Sequence, residues 1–582
     1  MALPRLASGS VWQDDLPTVR SVGLVSVSAP ATASTLVAQL AACLPLGTLS
    51  FRLAFASCLA LAAASWLLFR FARQLFHTHV SSSALSTPLA LLACAGASFT
   101  TLMQQQAMIA VDTTLNVALA LGVFATLTHS TWTRWQRHAL TGALLAVLAC
   151  NHVLTALVVG LAVLAVTLWR RDWVQGKQRV FVVALSAAVG AAMFAPWPIR
   201  AYSPNALWHF GLGMDGYDLA PVDVLQQAGM RFGSWTEQLG PVMVIAGLIG
   251  VVLAVTRKRT RWFAVLVLPV LLADTAMPSM LARHSSWLTL DPMTPVRCLA
   301  LACLSVAMGL AVQAIVTMLQ DTGLAMAKAA AVLVLVFHVS IVGMLSERAA
   351  FLADPSQGTD GTGAAHFTDE ALYKLEPNAM VLVRSDAMLW RLYAERVTGG
   401  GRPDVVVVPM TLLGRGDHAA RVLAEEPHAT MLLRDMALEA NVGEHAFATI
   451  ADKRHLFAEF DPYWQSAVAS HLRADGMWLA LESQPVSRSE RRLAAQRAVK
   501  SIDDLLKRLP PAQSSDRATR VVVASVMRQQ TLAAARANDR QATHELLAKL
   551  QSIAPDDWFL RTMSQRLAFN QDATIDITGL LR

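Results

Sequence analysis

The chain has 582 residues, of which 54% are hydrophobic and only 15% are charged, and its formal net charge is +7. Soluble proteins carry about 25% charged residues, so this composition indicates a membrane protein. The basic residues form short clusters between apolar runs, without the continuous basic stripe of a nucleic-acid-binding protein. The six cysteines lie in or beside apolar runs and form no CxxC pair, which argues against a thiolate metal site.

Ten apolar runs approach the length of about 20 residues that a membrane-spanning helix needs. They lie near residues 51–70, 84–100, 107–127, 138–150, 153–169, 179–196, 240–256, 262–279, 297–318 and 328–345. The fourth run is short, and we expect it to form a tight hairpin with the fifth around Asn151 and His152. The sequence therefore predicts an α-helical polytopic membrane domain with about ten spans over residues 51–345.

The connections between successive runs alternate between those rich in Lys and Arg and those with few. One set holds Arg70, Arg73, Arg134, Arg137, Arg170, Arg171, Lys177, Arg179, Arg257, Lys258, Arg259, Arg261 and Lys328. The other set holds only Arg200, Arg231, Arg283 and Arg297. Because basic residues in short loops stay in the cytoplasm, we expect the first set inside and the loop 198–239 outside. The C-terminal region is then extracytoplasmic (periplasmic), in a protein of the bacterial inner membrane.

Residues 1–50 are predicted to be an N-terminal segment, for which the sequence leaves two alternative topologies. An even number of spans places this segment outside, yet Met1–Arg20 does not resemble a signal peptide. The weakly apolar stretch Ser21–Leu44 could be an eleventh span. Its Ser, Thr, Pro and Gln residues make it a poor span. Alternatively, an upstream helix is missing and Val11–Thr48 is an external loop, which the family resemblance described below favours.

The C-terminal region is predicted to contain two soluble parts. In residues 346–485, a strand at Ala379–Val383, a helix around Met388–Arg396 and a strand at Val405–Val408 predict a β-α-β unit of an α/β domain. Residues 486–582 are predicted to be helical. Within them, the spacing of six residues indicates a tetratricopeptide-like (TPR-like) helix pair. These residues are Ala533, Ala534, Ala542, Leu546, Leu547 and Pro555.

Short motifs along the chain resemble those of one membrane family in their order and spacing. They are Trp12-Gln13-Asp14-Asp15, Leu44-Pro45-Leu46-Gly47, Phe51-Arg52-Leu53, Asn151-His152, Pro198-Ile199-Arg200, Pro204, Leu207-Trp208, Gly211, Ser385-Asp386 and Gly401-Arg402-Pro403-Asp404-Val405. Together they resemble the bacterial protein O-mannosyltransferase-like family of the GT-C glycosyltransferase superfamily. Where that family has Gly-Glu after the acidic residue, this chain has Leu16-Pro17. The chain therefore resembles a divergent member.

The resemblance implies a GT-C-like membrane glycosyltransferase that moves a sugar, mannose by the family name, from a polyprenyl-phosphate donor to an extracytoplasmic protein or glycan. Its partners would be membrane lipid, the lipid-linked sugar and the acceptor. In such a reaction the acceptor hydroxyl needs a general base, and the departing phosphate needs cations. The sequence has no Walker loop, dinucleotide-binding glycine pattern or His/Cys metal spacing, so no tightly bound cofactor or metal is expected.

Three carboxylates are candidates for catalysis. From the family position, Asp14 is the candidate general base and Asp15 its alternate. Asp112 lies in the apolar run 107–127 near its predicted outer end, where an ionisable residue is costly and usually functional or paired. The competing structural roles are a solvated acidic pair for Asp14 and Asp15, and helix capping or snorkelling for Asp112.

Four other residues are candidates for binding. Arg200 and Arg297 lie at predicted outer helix boundaries, where they could contact the donor phosphate or anchor helix ends among the lipid headgroups. His152 could bind the acceptor or orient a carboxylate, or satisfy a partner within the bundle. Trp208 could cover the sugar or the lipid carrier, although aromatic anchoring at the interface is the more common role.

Two other functions stay open. A non-catalytic membrane scaffold derived from the GT-C fold would use its outer domain to bind partners. A transporter is disfavoured, because paired broken helices in two similar halves are not visible in the sequence.

Overall fold

The structure is a computed structural model. It describes residues 12, 15–22, 32–79, 83–108, 112–128, 132–169, 224–281, 293–321, 325–352, 360–413, 416–439, 442–461, 464–509, 517–555, 557–569, 575, 577 and 580. The described residues form two compact units. Unit 1 takes those within Arg20–Arg283 and Leu290–Gln357, and unit 2 takes those within Gly9–Val19 and Gly358–Arg582.

The described part of the chain before residue 353 is helical. Its helices are α1 (Asp15–Ser21), α2 (Thr32–Ala42), α3 (Leu49–His79), α4 (Ser83–Ser98), α5 (Thr101–Met108), α6 (Thr113–Thr128), α7 (Arg134–Asn151), α8 (Val153–Trp169), α9 (Val224–Leu239), α10 (Pro241–Thr256), α11 (Arg261–Leu281), α12 (Thr294–Asp321) and α13 (Ala325–Leu352). The helix α2 covers 11 residues of the stretch Ser21–Leu44, whose residues 23–31 lie outside the described residues, so the eleventh span stays a prediction.

Among the described residues, two helices are long and apolar enough to cross a membrane, Leu49–His77 and Thr294–Leu319. Two bent helix pairs pass the same test if each pair is one span, which gives up to four. One pair is Ser86–Ser98 with Thr101–Met108, bent by 65°, and the other is Arg231–Leu239 with Pro241–Thr256, bent by 112°. The count of about ten spans therefore stays a prediction.

Every predicted run overlaps a described helix except 179–196, which lies outside the described residues. The run 107–127 is not one helix, because α5 ends at Met108 and α6 begins at Thr113. The prediction missed this break because an apolar run does not show where the backbone leaves the helix. Between α7 and α8 the chain turns at His152, whose extended backbone (φ −152°, ψ 94°) interrupts the helix at the predicted hairpin.

The core of unit 1 contains α12, whose residues from Cys298 to Met308 are almost fully buried. Its contact with α10 is close because α10 presents two glycines. A Cβ atom at Gly250 would lie 1.8 Å from the carbonyl oxygen of Ala307, and one at Gly247 would lie 2.9 Å from that of Leu304. Small residues of this kind let helix backbones approach in membrane bundles.

Unit 2 contains a five-stranded sheet in the order β2-β1-β3-β5-β4. The strands are β1 (Met380–Val383), β2 (Val406–Pro409), β3 (Leu456–Ala458), β4 (Leu472–Asp475) and β5 (Trp478–Leu481). Strand β1 is parallel to both β2 and β3, with Met380 opposite Val406 and Leu456. Strand β5 is antiparallel to β3 and β4. The predicted β-α-β unit is present as β1, a helix and β2, and the other three strands were not predicted.

The helices of unit 2 flank this sheet and continue beyond it. They are α14 (Asp360–Thr368), α15 (Asp386–Thr398), α16 (Gly416–Glu425), α17 (Thr430–Glu439), α18 (Glu444–Ala451), α19 (Arg488–Arg508), α20 (Arg517–Arg536), α21 (Arg540–Ile553) and α22 (Trp558–Phe569). A capping box of Ser487 and Glu490 begins α19, and α20 packs against α21. The TPR-like identity of this pair stays a prediction.

The carboxylate of Glu459 lies at the end of β3 and closes the turn between β1 and α15. It accepts hydrogen bonds from the backbone N–H groups of Arg384 and Ser385, each at 2.6 Å, and from the Ser385 hydroxyl at 2.6 Å. Glu459 is 4% exposed. Because the donors precede the first turn of α15, this carboxylate occupies the end of the helix that carries a partial positive charge.

Candidate functional site

The N-terminal segment is anchored in unit 2 by Trp12. Its indole Nε1 donates a hydrogen bond of 2.9 Å to the hydroxyl of Thr519, and its ring lies 5.0 Å from that of Phe367, centroid to centroid. Trp12 is buried. A tryptophan with a satisfied N–H fixes both the position and the orientation of the chain that carries it. The motif that the resemblance places near the reaction is therefore tied to the C-terminal unit.

Asp15 makes the second anchor, an ion pair with Arg391 of α15. A carboxylate oxygen of Asp15 lies 2.9 Å from Nη1 of Arg391, and both side chains are 2% exposed. Arg391 also contacts Glu395 at 3.2 Å, and Glu395 accepts a hydrogen bond of 2.9 Å from the hydroxyl of Tyr373. Partial desolvation and this hydrogen bond raise the pKa of Tyr373 to about 12, so its hydroxyl stays a donor at neutral pH.

This pairing bears on the choice between the two N-terminal carboxylates. The sequence interpretation allowed a solvated acidic pair, whereas Asp15 is buried and engaged with a guanidinium. A buried carboxylate in an ion pair is poorly placed to receive a proton from an incoming acceptor. Asp15 is thus a structural link in unit 2, and Asp14, which lies outside the described residues, remains the candidate base.

In unit 1, a cluster of buried polar side chains joins α2, α6 and α7. The Nδ2 atom of Asn151 donates to the Ser34 hydroxyl at 2.8 Å and to Oδ1 of Asn116 at 2.5 Å. Its Oδ1 atom accepts from the backbone N–H of Ser34 at 2.8 Å. Ser34, Asn116 and Asn151 are all buried. In an apolar bundle such groups have no water to replace a lost partner, so the cluster fixes the three helices together.

Asp112 and His152 flank this cluster. The carbonyl oxygen of Asp112 accepts the N–H of Asn116 at 3.0 Å, which places Asp112 at the start of α6. Nδ1 of His152 lies 2.9 Å from the hydroxyl and 3.2 Å from the backbone N of Thr155, at the start of α8. These contacts are those of residues at helix termini, and along the chain Asp112 lies one helical turn before Asn116 while His152 directly follows Asn151.

Replacing Asn151 by alanine is expected to destabilise unit 1 by about 1 to 3 kcal/mol, because Asn116 and Ser34 would each lose a partner while staying buried. Thermal melting of the purified full-length protein in detergent measures this effect. Ser340→Ala is the matched control, since Ser340 is exposed and bonds only within its own helix, to the carbonyl of Val336. Equal melting temperatures for the two variants would contradict the proposed role of Asn151.

Arg297 contacts an acidic residue that the sequence analysis did not single out. Its Nε atom lies 3.8 Å from Oδ1 of Asp274, whose side chain is fully buried. The indole Nε1 of Trp235 donates a hydrogen bond of 2.7 Å to Oδ2 of the same carboxylate. The signal was available in the sequence, because Asp274 is an ionisable residue within the apolar run 262–279.

The Asp274 cluster can orient an arginine for anion binding. Asp274, Trp235 and Arg297 come from α11, α9 and α12, so three helices determine where the guanidinium lies. The Arg297 side chain keeps 15% exposure, whereas Asp274 has none. A supporting shell of this kind holds a binding side chain in one geometry before the ligand arrives.

The predicted site residues are thus divided between the two units. Asp15 belongs to unit 2, while Asp112, His152 and Arg297 belong to unit 1. Asp14, Arg200 and Trp208 lie outside the described residues. The part of the chain that the structure describes contains no group of three or more His, Cys, Asp or Glu residues arranged to hold a metal ion.

No family model matches the chain, and no curated protein matches it. Among solved structures, ArnT from Cupriavidus metallidurans in the apo state has a TM-score of 0.50 and 12% sequence identity, and the match covers 82% of this chain and 94% of ArnT. This chain shares its fold with ArnT. ArnT is a GT-C glycosyltransferase, so the architecture implied by the sequence motifs is confirmed at the level of the fold.

The same ArnT bound to undecaprenyl phosphate matches with a TM-score of 0.46 and 12% identity, over 78% of this chain and 89% of that one. At this identity the likeness concerns the fold alone. The comparisons do not show the protein O-mannosyltransferase family.

Proposed function

We propose that this chain is a membrane glycosyltransferase of the GT-C type, which transfers a sugar from a polyprenyl-phosphate donor to an extracytoplasmic acceptor. The observation that carries the proposal is the fold shared with ArnT over most of both chains. ArnT is an undecaprenyl-phosphate-linked sugar transferase, and the GT-C fold here supports the same class of donor. Mannose as the sugar and a protein or glycan as the acceptor follow only from the sequence resemblance.

In the proposed reaction, the oxygen of an acceptor hydroxyl attacks the anomeric carbon of the sugar. The bond between that carbon and the phosphate oxygen breaks, and polyprenyl phosphate leaves with the bonding electrons. The hydroxyl proton passes to a carboxylate, for which we propose Asp14. In this scheme the Trp12 and Asp15 anchors are positioning contacts, because they flank Asp14 in the sequence and fix the chain on both sides of it.

The leaving phosphate requires compensating positive charge, for which we propose Arg297 and Arg200. An arginine fork matches the geometry of phosphate oxygens, and Asp274 with Trp235 orients Arg297. Asp112 is proposed as an alternative catalytic carboxylate, His152 as a contact to the acceptor, and Trp208 as a cover for the sugar or the lipid carrier. The site and the C-terminal domain would both be periplasmic.

Lysine in place of Arg297 is expected to raise the KM for the lipid donor about tenfold, since an ammonium keeps the charge but loses the fork geometry. The KM is measured with purified full-length protein and a radiolabelled polyprenyl-phosphate sugar. Arg348→Lys is the matched control, because Arg348 is exposed on α13. An unchanged KM in Arg297→Lys would remove Arg297 from the donor site.

Transfer of label from polyprenyl-phosphate mannose, in membranes that contain this chain and in membranes that lack it, tests the proposed function directly. Chain-dependent transfer supports the enzyme. The competing scaffold function is favoured by the burial of Asp15 and by Leu16-Pro17 at the family's Gly-Glu position. It predicts a folded, membrane-inserted protein that transfers no sugar from any polyprenyl-phosphate donor offered.

A further inference from the structure

Unit 1 contains a groove of about 400 Å³ between α3, α6 and α7. Its walls are apolar, and small residues of α6 make room for it. Leu67, Leu140 and Leu144 form the sides. At Gly122 a Cβ atom would lie 3.4 Å from a methyl group of Leu144, so even alanine there would begin to fill the space. The volume lies within the range of about 300 to 1,000 Å³ that ligand pockets occupy.

The polar lining of the groove is concentrated on one face of α3. Trp66, Arg70 and Gln74 follow one another at intervals of four residues and all line the groove. The guanidinium of Arg70 lies over the Trp66 ring, with Cζ 4.9 Å from its centroid. This cation–π contact holds the charge at the groove. Trp132, just before α7, lines the same groove.

A second arginine, Arg137, lies on α7, the helix that contributes Leu140 and Leu144 to the groove. Arg137 is three residues before Leu140 and seven before Leu144, so the three side chains share a helix face. Within the described residues, Nε of Arg137 is buried and has no hydrogen-bond partner. A buried donor without a partner is costly, and an anion bound at this position would satisfy it.

Two apolar residues that line the groove are exposed. Trp66 is 55% exposed and Leu140 is 37% exposed. Tryptophans of this kind are common at the level of the lipid headgroups. A hydrocarbon chain can therefore enter from the side while its headgroup stays near Arg70 and Arg137.

We propose that this groove binds one anionic glycerophospholipid, with an acyl chain along the apolar walls and the phosphate against Arg70 and Arg137. Charge complementarity selects an anionic lipid, since Arg70 lines the groove and Arg137 shares a face of α7 with the lining residues Leu140 and Leu144. Basic pockets between membrane helices bind anionic headgroups at the cytoplasmic surface, and both arginines belong to the predicted inside set. The same topology separates this groove from the proposed transfer reaction, which takes place on the opposite face.

The test uses the full-length protein in nanodiscs, with phosphatidylglycerol and phosphatidylcholine of identical acyl chains, followed by native mass spectrometry of retained lipid. We expect phosphatidylglycerol to be retained about tenfold over phosphatidylcholine. The double variant Arg70→Gln, Arg137→Gln should lose this preference. Arg73→Gln is the matched control, because Arg73 is exposed three residues further along α3, and it should keep the preference.

A charge-keeping variant separates loss of the site from loss of the fold. The double variant Arg70→Lys, Arg137→Lys should retain most of the preference, whereas Ala125→Leu, which fills the groove, should lower retention of both lipids.

Equal retention of the two lipids by the unmodified protein would overturn the proposal. Displacement of phosphatidylglycerol by equimolar polyprenyl phosphate would also overturn it, because the groove would then be a carrier site. Competition by glycerol phosphate as effective as that by the intact lipid would exclude the acyl chain from the site.

Discussion

Methionine in place of Arg391 is expected to destabilise unit 2 by about 3 to 5 kcal/mol, the usual cost of removing one partner from a buried ion pair. The substitution leaves the Asp15 carboxylate in a site with 2% exposure and without the guanidinium that lies 2.9 Å from it. Glu395 loses its contact with Arg391 at the same time. Thermal unfolding of the purified full-length protein, followed by tryptophan fluorescence and by proteolysis of the C-terminal unit, measures the effect.

Two further variants make this expectation specific. Arg396→Met removes an arginine from the same helix, but Arg396 is 37% exposed and its pair with Glu425 is open to solvent, so the expected cost is about 0 to 1 kcal/mol. Asp15→Asn should cost less than Arg391→Met, because Arg391 keeps Glu395 as a partner. If Arg391→Met unfolds at the same temperature as Arg396→Met, the pair does not anchor the N-terminal segment.

Asparagine at position 14 is expected to lower the rate of sugar transfer by about 100- to 10,000-fold, the contribution of a general base. The amide has the shape of the carboxylate but cannot accept the proton of the acceptor hydroxyl. Initial rates with radiolabelled polyprenyl-phosphate mannose, at saturating donor and in membranes with equal amounts of inserted protein, measure the effect. The donor KM should change little, because Asp14 is assigned to the acceptor proton and not to the phosphate.

The matched control is Asp504→Asn, which makes the same chemical change at a carboxylate that is 51% exposed on α19. It should transfer at the unmodified rate. A fully active Asp14→Asn protein would assign the base to another carboxylate, with Asp112 as the next candidate. Absence of transfer in the unmodified, correctly inserted chain would instead favour the scaffold.

The positions of the membrane helices could be predicted because lipid imposes a strong pattern: a spanning helix must satisfy its backbone internally and present apolar side chains over its length. The break between Met108 and Thr113 was not predicted, because the run 107–127 was taken as one span although Asp112, Thr113 and Thr114 interrupt it. In unit 2, β1 and β2 were recognisable as runs of buried aliphatic residues. Strand β3 has only three residues, too few for a periodic signal.

The candidate site also contains residues that the sequence indicated and contacts that it could not indicate. Residue types and family positions indicated Asp15 and the Asn151-His152 pair, whereas the partners of Asp15 and Asn151 lie far away in the sequence. No local pattern links Asp15 to Arg391 or Asn151 to Ser34, because these contacts arise only when separate helices meet. Asp274 could have been found by applying to the run 262–279 the argument that singled out Asp112.

The carboxylate of Glu459 has a consequence for what the sheet of unit 2 can recognise. In open α/β sheets, ligand phosphates commonly bind beyond the carboxyl ends of the strands, where the chain crosses from one side of a central strand to the other and a helix begins. Here β1 is that central strand, and Glu459 already holds the N–H groups at that position. A sugar nucleotide would have to displace an anion that is part of the chain itself. This end of the sheet is already occupied by a carboxylate of the chain, which agrees with the proposed lipid-linked donor.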